Sequence, residues 1–376
     1  MPVFGLDNLL VGIIFFIFAI WCILITREIN FKRKENNSIE LREGVYNSAL
    51  TAILCMIMGL FYVIPGLIVA FINNTIQDSL YLPYPTPTAT FAIYFLGFVF
   101  IFIAAFVIYE WKTAKFSKVL PKEQKIHKVD KELSRKAFHI LIIGVLAVYL
   151  IVGKLLIDSL YTYLSTPAYD YWGYRFADWS VIDSGKLVSM FGITVVFEFI
   201  FLLDLIRLKA PRYFPARILS NLYREKEKDT LGPHIYLVVG ILFSVIVFPP
   251  PIAMAVIAIS ALGDATATIV GVTKGKRRMR SGISNKTWEG SIAGMIASFL
   301  FGFIGFIALA FTPTYFGYVK NDIGTGILIG LLINAAAVPI FFLIDYYTPK
   351  PLPFSDNLLN PILVGFTMWG VYTLFF

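Results

Sequence analysis

The sequence predicts an all-α, polytopic membrane protein with about ten transmembrane helices. Three observations carry that prediction. Hydrophobic residues make up 58% of the 376 and charged residues only 15%, and the mean hydropathy is +0.75, outside the range of a soluble domain. Apolar runs of about 20 residues, enough to cross a bilayer, recur along the chain. The connections between those runs alternate in charge, as loops sorted across a membrane do.

The spans fall roughly at 9–26, 45–72, 89–111, 137–157, 187–208, 234–249, 251–272, 288–311, 324–345 and 357–376. Pro249, Pro250 and Pro251 separate the sixth from the seventh, because three prolines in a row cannot continue a helix. The first stretch lacks a basic leader and a small-residue cleavage site, so it reads as a retained span. Arg27, Lys32, Arg33, Lys34 and Arg42 lie in the first connection, whereas the second has no Lys or Arg. Nine basic residues then run from Lys112 to Lys136, and four aspartates (Asp158, Asp170, Asp178, Asp183) dominate 158–186. Seven basic residues occupy 207–228 and six occupy 274–286, while Lys320 stands alone. Odd-numbered connections are therefore expected in the cytosol and both termini outside it, in the cell membrane or an endomembrane. The net charge of +8 follows this alternation, which argues for topology and against a nucleic-acid partner.

Cys22 and Cys55 sit inside apolar runs, and His127, His139 and His234 have no metal-site spacing. Residues 1–115 contain almost nothing ionisable within their spans. The later spans contain Glu198, Asp204, Asp264 and Asp345. The chain is therefore read as accessory N-terminal helices, 1–115, followed by a working bundle, 116–376. A carboxylate in hydrocarbon is costly, about 3 kcal/mol on insertion scales, and usually marks a polar cavity or a partner.

The stretch SALGDATATIVGVTKGKRRMRSGISNKTWEGS, 260–291, is the richest. Ser260, Asp264, Thr268, Gly271 and Gly275 fall on one helical face. A basic loop follows, and then a helix opening with Lys286, Thr287 and Glu289. GxxxxGK[ST] is not met, since Gly271 to Lys276 is one residue short and no strand precedes it. A helix start with free N–H groups beside a cation is met, by Asn285, Lys286 and Thr287. Gly290 and Ser291 give a ligand close access to backbone. The alternative for the glycines is helix packing, since Gly271–Gly275 and Gly290–Gly294 are both GxxxG.

Four other constellations stand with it. Glu132, Arg135 and His139 share one helical face where a basic connection meets the fourth span. Glu198 lies about 13 Å from the cytosolic edge and Asp264 at about 12 Å, so a shared metal ion is one reading. REKEKDTLGPHIY, 224–236, is a charged turn. Asp345 ends the ninth span, and Asp356 and Asn357 open the tenth. All of these fall near the cytosolic face, a level suited to a lipid with its tail in the bilayer and a soluble phosphate-bearing co-substrate.

At these residues the chain resembles the polyprenol kinases: dolichol kinase, phytol kinase and CTP-dependent diacylglycerol kinase. The matching pieces are RKAFH (135–139), the span from Glu198 to Arg207, REKE with TLG (224–232), GDATATIVG (263–271) with KTWEGS (286–291), and DNLLNP (356–361). The resemblance covers about residues 130–376. It implies transfer of the γ-phosphoryl of CTP to the hydroxyl of a membrane lipid alcohol, with Mg²⁺ as cofactor. It implies that Asp264 holds the metal together with Glu289, and that Lys286 and Thr287 cradle the triphosphate with Lys276 and Arg277 on its rim. Arg135, Lys136 and His139 would lie at the nucleotide or acceptor, and Asp356 and Asn357 would close the site. His139 and Glu198 are both candidates for the general base. Phosphatidate cytidylyltransferases are related to this family and give the second expectation, a CDP-lipid product. A transporter with broken helices is the third.

Overall fold

A computed structural model describes residues 6–35, 41–71, 128–141, 143–148, 181–211, 227–280, 286–310 and 323–375, with scattered positions between 97 and 112 and at 151, 214 and 223–224. The long helices are α1 (Leu6–Glu35), α2 (Leu41–Phe71), α3 (Lys128–Leu141), α4 (Val181–Lys209), α5 (Pro233–Val247), α6 (Pro250–Ala258), α7 (Asp264–Thr273), α8 (Trp288–Ala310), α9 (Ile323–Tyr347), α10 (Asp356–Leu359) and α11 (Gly365–Tyr372). A π turn, Ile259–Gly263, joins α6 to α7, and a second, Asn360–Val364, joins α10 to α11. The described residues contain no β-strand, only an isolated bridge between Arg278 and Thr287.

Among the described residues, six helices are long and apolar enough to cross a membrane: Asn8–Glu35, Leu41–Ile64, Val188–Lys209, Pro250–Thr273, Trp288–Ala310 and Ile323–Tyr347. They correspond to the first, second, fifth, seventh, eighth and ninth predicted spans. The third lies largely outside the described residues; of the fourth, 137–141, 143–148 and 151 are described, helical over 137–141 and Gly144–Ala147. The sixth is the shorter apolar helix α5, which stops at Val247 before the prolines, and Pro250 starts α6. The tenth is helical but interrupted by its π turn. On α8, Trp288, Ile292, Ile296, Leu300 and Ile304 are exposed at every fourth position. That is the face a helix presents to lipid.

The chain forms two compact units. The first comprises Met1–Lys122, Tyr149–Arg217 and Glu225–Ile235, and the second Glu123–Val148, Ile218–Arg224 and Tyr236–Phe376. The first unit thus takes in α4 as well as the N-terminal helices.

In the first unit α1 and α2 cross where both are glycine. A Cβ on Gly12 would lie 2.4 Å from Val63 Cγ2, and one on Gly59 would lie 2.9 Å from the Phe16 ring. Close backbone approach matters here because lipid supplies no hydrophobic drive between helices. Ring contacts tie α1 to its neighbours. Phe15 stacks on Tyr62 of α2 at 5.6 Å, and Phe18 meets Phe197 of α4 edge-on at 5.4 Å.

At the end of α4, Asp204 and Arg207 form a fully engaged pair. Arg207 Nε donates to Asp204 Oδ1 at 2.6 Å. Its other nitrogens donate to the carbonyls of Glu227, Lys228 and Thr230 at 3.2, 2.9 and 2.6 Å. Asp204 Oδ2 accepts the Gly232 N–H at 2.9 Å. The TLG turn is therefore held by a buried ion pair.

In the second unit, α6, the π turn and α7 run through the middle as one span. Their seam with α8 is built of small residues. A Cβ on Gly263 would lie 2.1 Å from Ser298 Oγ, and one on Gly290 would lie 2.6 Å from the Ala267 carbonyl. α9 packs on α8, and the second π turn packs on α9 and on the first π turn. α3 packs on α7 and on the first π turn. The π turns are the local departures that place Asp264 and Asp356, since each carboxylate lies at the junction with, or one turn from, a stretch carrying one extra residue.

Candidate functional site

Asp264, the first residue of α7, is the centre of the site. Lys136 and His139 are three apart on α3, hence on one face, and both turn to it. Lys136 Nζ forms an ion pair with Asp264 Oδ2, and His139 Nδ1 lies 3.1 Å from the same oxygen. One turn out along α3, Glu132 is gripped by Arg224 through three contacts of 2.8 to 3.1 Å. Arg135 stands 4.0 Å from Glu132. Burial alone would raise the Glu132 carboxyl, but Arg224 and Arg135 hold it below the usual carboxylate range.

A second group forms around Lys286, just before α8. Its Nζ lies 2.7 Å from Asp345 Oδ1 at the end of α9 and 2.8 Å from Asp356 Oδ2 at the start of α10. It also donates to Thr348 Oγ1 at 3.1 Å. Ser291, one turn into α8, hydrogen-bonds Asp345 Oδ2. Asp356 Oδ1 accepts the N–H of Asn357 at 3.0 Å. Burial would lower the Lys286 ammonium, but Asp356 and Asp345 raise it above its ordinary value. Burial would raise Asp356, yet Lys286 brings it below the ordinary value, with Asp264 pulling the other way and Lys136 assisting. The charges of the two groups thus act on one another, and they form one site.

The site carries three carboxylates, Asp264, Asp345 and Asp356, against two ammonium groups, Lys136 and Lys286. With His139 neutral this leaves one negative charge in excess among the described residues of the cluster. No cluster of three or more His, Cys, Asp or Glu side chains suited to a metal occurs among the described residues. Mg²⁺ needs less than that, since it is usually held by one or two carboxylates with phosphate oxygens and water completing six positions. Both contacts to Asp264 fall on Oδ2, so coordination through Oδ1 is compatible with them. Asp264 is therefore compatible with a hard, oxygen-seeking cation.

Glu289 has other work. Its carboxylate accepts the backbone N–H groups of Lys276 and Arg277 at 3.2 to 3.3 Å. Trp288 N donates to Arg277 O at 2.9 Å and Met279 N to Lys286 O at 3.0 Å. The basic loop is thus a pinned ribbon that presents Lys274, Lys276, Arg277 and Arg278 to solvent. Thr287 Oγ1 accepts the Gly290 N–H at 3.3 Å, capping α8. Gly275 is required at this corner, since a Cβ there would lie 2.3 Å from Gly271 O and 2.5 Å from Thr287 Oγ1. Gly290, expected to admit a ligand to the backbone, instead admits α7. Its missing side chain is filled by Ala267 O and Gly271, so the packing alternative describes it. Asn285 lies outside the described residues.

Of the predicted site residues, the structure brings together Lys136, His139, Asp264, Lys286, Asp356 and Asn357. Glu198 belongs to the first unit. It is buried there, and its Oε2 has no hydrogen-bond partner. Glu225 is outside the described residues. Sequence reasoning placed Asp345 at the rim without assigning it to Lys286, read Ser291 only as giving a ligand access to backbone and not as a partner of Asp345, and missed Thr348 altogether. The signal for Asp345 was present, as an acid at the end of an apolar span. Ser291 and Thr348 carried none, because a lone hydroxyl in a helix or turn commonly bonds to backbone. The chain matches no protein-family model, no curated protein and no solved structure.

Proposed function

We propose that this protein is a CTP-dependent lipid kinase. It transfers the γ-phosphoryl group to the hydroxyl of a dolichol-like polyprenol or another lipid alcohol at the cytosolic face of its membrane. The observation that supports it most is the charged cluster itself. Lys136, His139, Asp264, Lys286, Asp345 and Asp356 meet within an apolar bundle, beside a pinned basic ribbon. Phosphoryl transfer needs positioning and charge neutralisation more than covalent chemistry, and this set supplies both. The full reading includes about ten spans, both termini outside the cytosol and the resemblance in residues 130–376.

In this reading the hydroxyl oxygen of the lipid bonds to the γ-phosphorus as the bond from that phosphorus to the β–γ bridging oxygen breaks. CDP leaves, and the hydroxyl proton passes to a base. In this reading His139 is the base, with Glu198 the other candidate. The Nδ1 of His139 lies 3.1 Å from Asp264 Oδ2, and with the ring N–H on that side Nε2 would carry the lone pair that takes the proton. Lys286 and Lys136 meet the phosphates, with Lys276 and Arg277 on the rim. Asp264 with Asp356 would hold Mg²⁺, whose contribution is neutralisation of phosphate charge.

The test is to incubate purified protein and a mixed prenol panel with γ-labelled and α-labelled CTP. The γ label alone should appear on extracted lipid. An α label on lipid identifies a cytidylyltransferase, and no label on lipid returns the transporter reading.

A further inference from the structure

Among the described residues, four buried oxygens around the two π turns have no partner, Ser260 Oγ, Ser298 Oγ, Asn334 Oδ1 and Asn360 Oδ1, and two of them lie within the turns themselves. Ser260 and Asn360 are 2% and 3% exposed, and neither Ser260 Oγ nor Asn360 Oδ1 has a hydrogen-bond partner. A buried polar atom left unpaired is costly in any protein interior. It is harder still to tolerate at membrane depth, where water does not substitute.

Their placement is matched. Ser260 lies in the first π turn, four residues before Asp264. Asn360 opens the second, four residues after Asp356. Four residues is about one turn, roughly 5–6 Å, so each oxygen lies one turn further along its span from the loops than a carboxylate of the cluster. The two π turns pack against each other. Such turns recur at functional sites. Neither π turn contains a basic residue, and none occurs within 256–263 or 357–367.

We propose that Ser260 and Asn360 form the seat for the hydroxyl of a neutral lipid alcohol. The inference rests on the kinase reading and names the headgroup that the site accepts. Before transfer the alcohol O–H donates to Asn360 Oδ1 and the Ser260 hydroxyl donates to the alcohol oxygen; the alcohol leaves this seat toward His139 and the γ-phosphorus, one turn nearer the loops, when transfer begins. A hydroxyl is donor and acceptor in one group, which is what this pair lacks. A lipid phosphate fits less well, because it would bring charge against two turns that contain no basic residue. Lys136 and Lys286 lie one turn nearer the loops, at the level of the nucleotide phosphates. The same two side chains therefore select an alcohol over its phosphorylated form.

The experiment uses the full chain in lipid nanodiscs, with geranylgeraniol and geranylgeranyl monophosphate as probes, and Ser260→Ala and Asn360→Leu as variants. Binding is read by native mass spectrometry and thermal unfolding is measured in parallel. The wild type should bind the alcohol in preference to the monophosphate. Each variant should weaken alcohol binding about tenfold, the size of one lost hydrogen bond, with CTP affinity unchanged. Ser260→Ala should not lower the unfolding temperature, since it removes a hydroxyl that has no protein partner, and it decides alone if Asn360→Leu does not fold. Unchanged alcohol affinity in the folded variants, or equal binding of the monophosphate, overturns the seat. Weakened alcohol binding with no transfer of γ label by the wild type overturns the kinase reading and leaves the seat standing. Label transfer with an unchanged KM for alcohol in the variants does the reverse.

Discussion

Two buried charge clusters in this chain differ in one respect. In the first unit, Asp204 and Arg207 are complete: the guanidinium meets a carboxylate and three carbonyls, and the carboxylate also takes an N–H. In the second unit, three carboxylates face two ammonium groups, and unpartnered oxygens lie one turn further in. Both use residues that membrane spans rarely contain. Completeness marks the first as a device that holds a turn. The second is incomplete among the described residues, and an excess charge beside unpartnered oxygens is the arrangement a bound ligand would correct.

The sharpest way to break this comparison is Asp264→Asn. It removes the carboxylate that orients both His139 and Lys136 and that is expected to hold the metal. Transfer of the γ label should fall by about 10³-fold, the scale of losing a principal charge-stabilising group. Full Mg²⁺-dependent activity in this variant would remove Asp264 from the site. Stability should divide the two clusters in the opposite sense. Asp204→Ala leaves the buried Arg207 without its carboxylate and should cost about 3–5 kcal/mol. Asp356→Ala leaves Lys286 with Asp345 and Thr348 as partners, so it should cost less, about 1 kcal/mol. Equal losses in urea or thermal unfolding would mean that both clusters are structural.

Much of this contrast was legible in the sequence, and the reason lies in what each signal depends on. Apolar length and loop charge depend on the bilayer, so the long spans appear where hydropathy puts them, and the proline run divides α5 from α6 as expected. Asp264, Lys136, His139 and Lys286 stand out because ionisable groups at span ends are rare. The π turns are illegible, because one added residue per turn leaves no mark on an apolar run. Asp204 looked unremarkable beside Glu198, since the turn that completes its pair with Arg207 lies more than twenty residues away and meets the pair through backbone groups. Gly290 carried two readings, and only the position of α7 separates them. Glu289 looked like a ligand, yet its oxygens meet backbone N–H groups that no residue pattern reveals.

The seam beneath the site offers a smaller test. In Gly290→Ala the new Cβ would lie 2.6 Å from Ala267 O and 2.8 Å from Gly271 Cα. Both are backbone atoms, so α7 and α8 must separate rather than a side chain turn aside. The cost should be about 1–3 kcal/mol in unfolding experiments. A neutral result would show that the seam is loose enough to admit a ligand after all.

The smallest expected effect lies at the outer end of α3, where Arg224 holds Glu132. The Glu132 carboxyl titrates below its ordinary value in the folded chain, so the folded state binds fewer protons than the unfolded one between the two. The pair's contribution is therefore fully present above the unfolded value, about pH 4.3, and is lost as pH falls through the lower folded value. Both side chains are partly solvated, and screening keeps the contribution below about 1 kcal/mol. Arg224→Ala should lower the unfolding temperature by a few degrees at most at neutral pH, and the gap from wild type should narrow as the medium is acidified. A gap that widened in acid would mean that the arginine acts on a group other than Glu132.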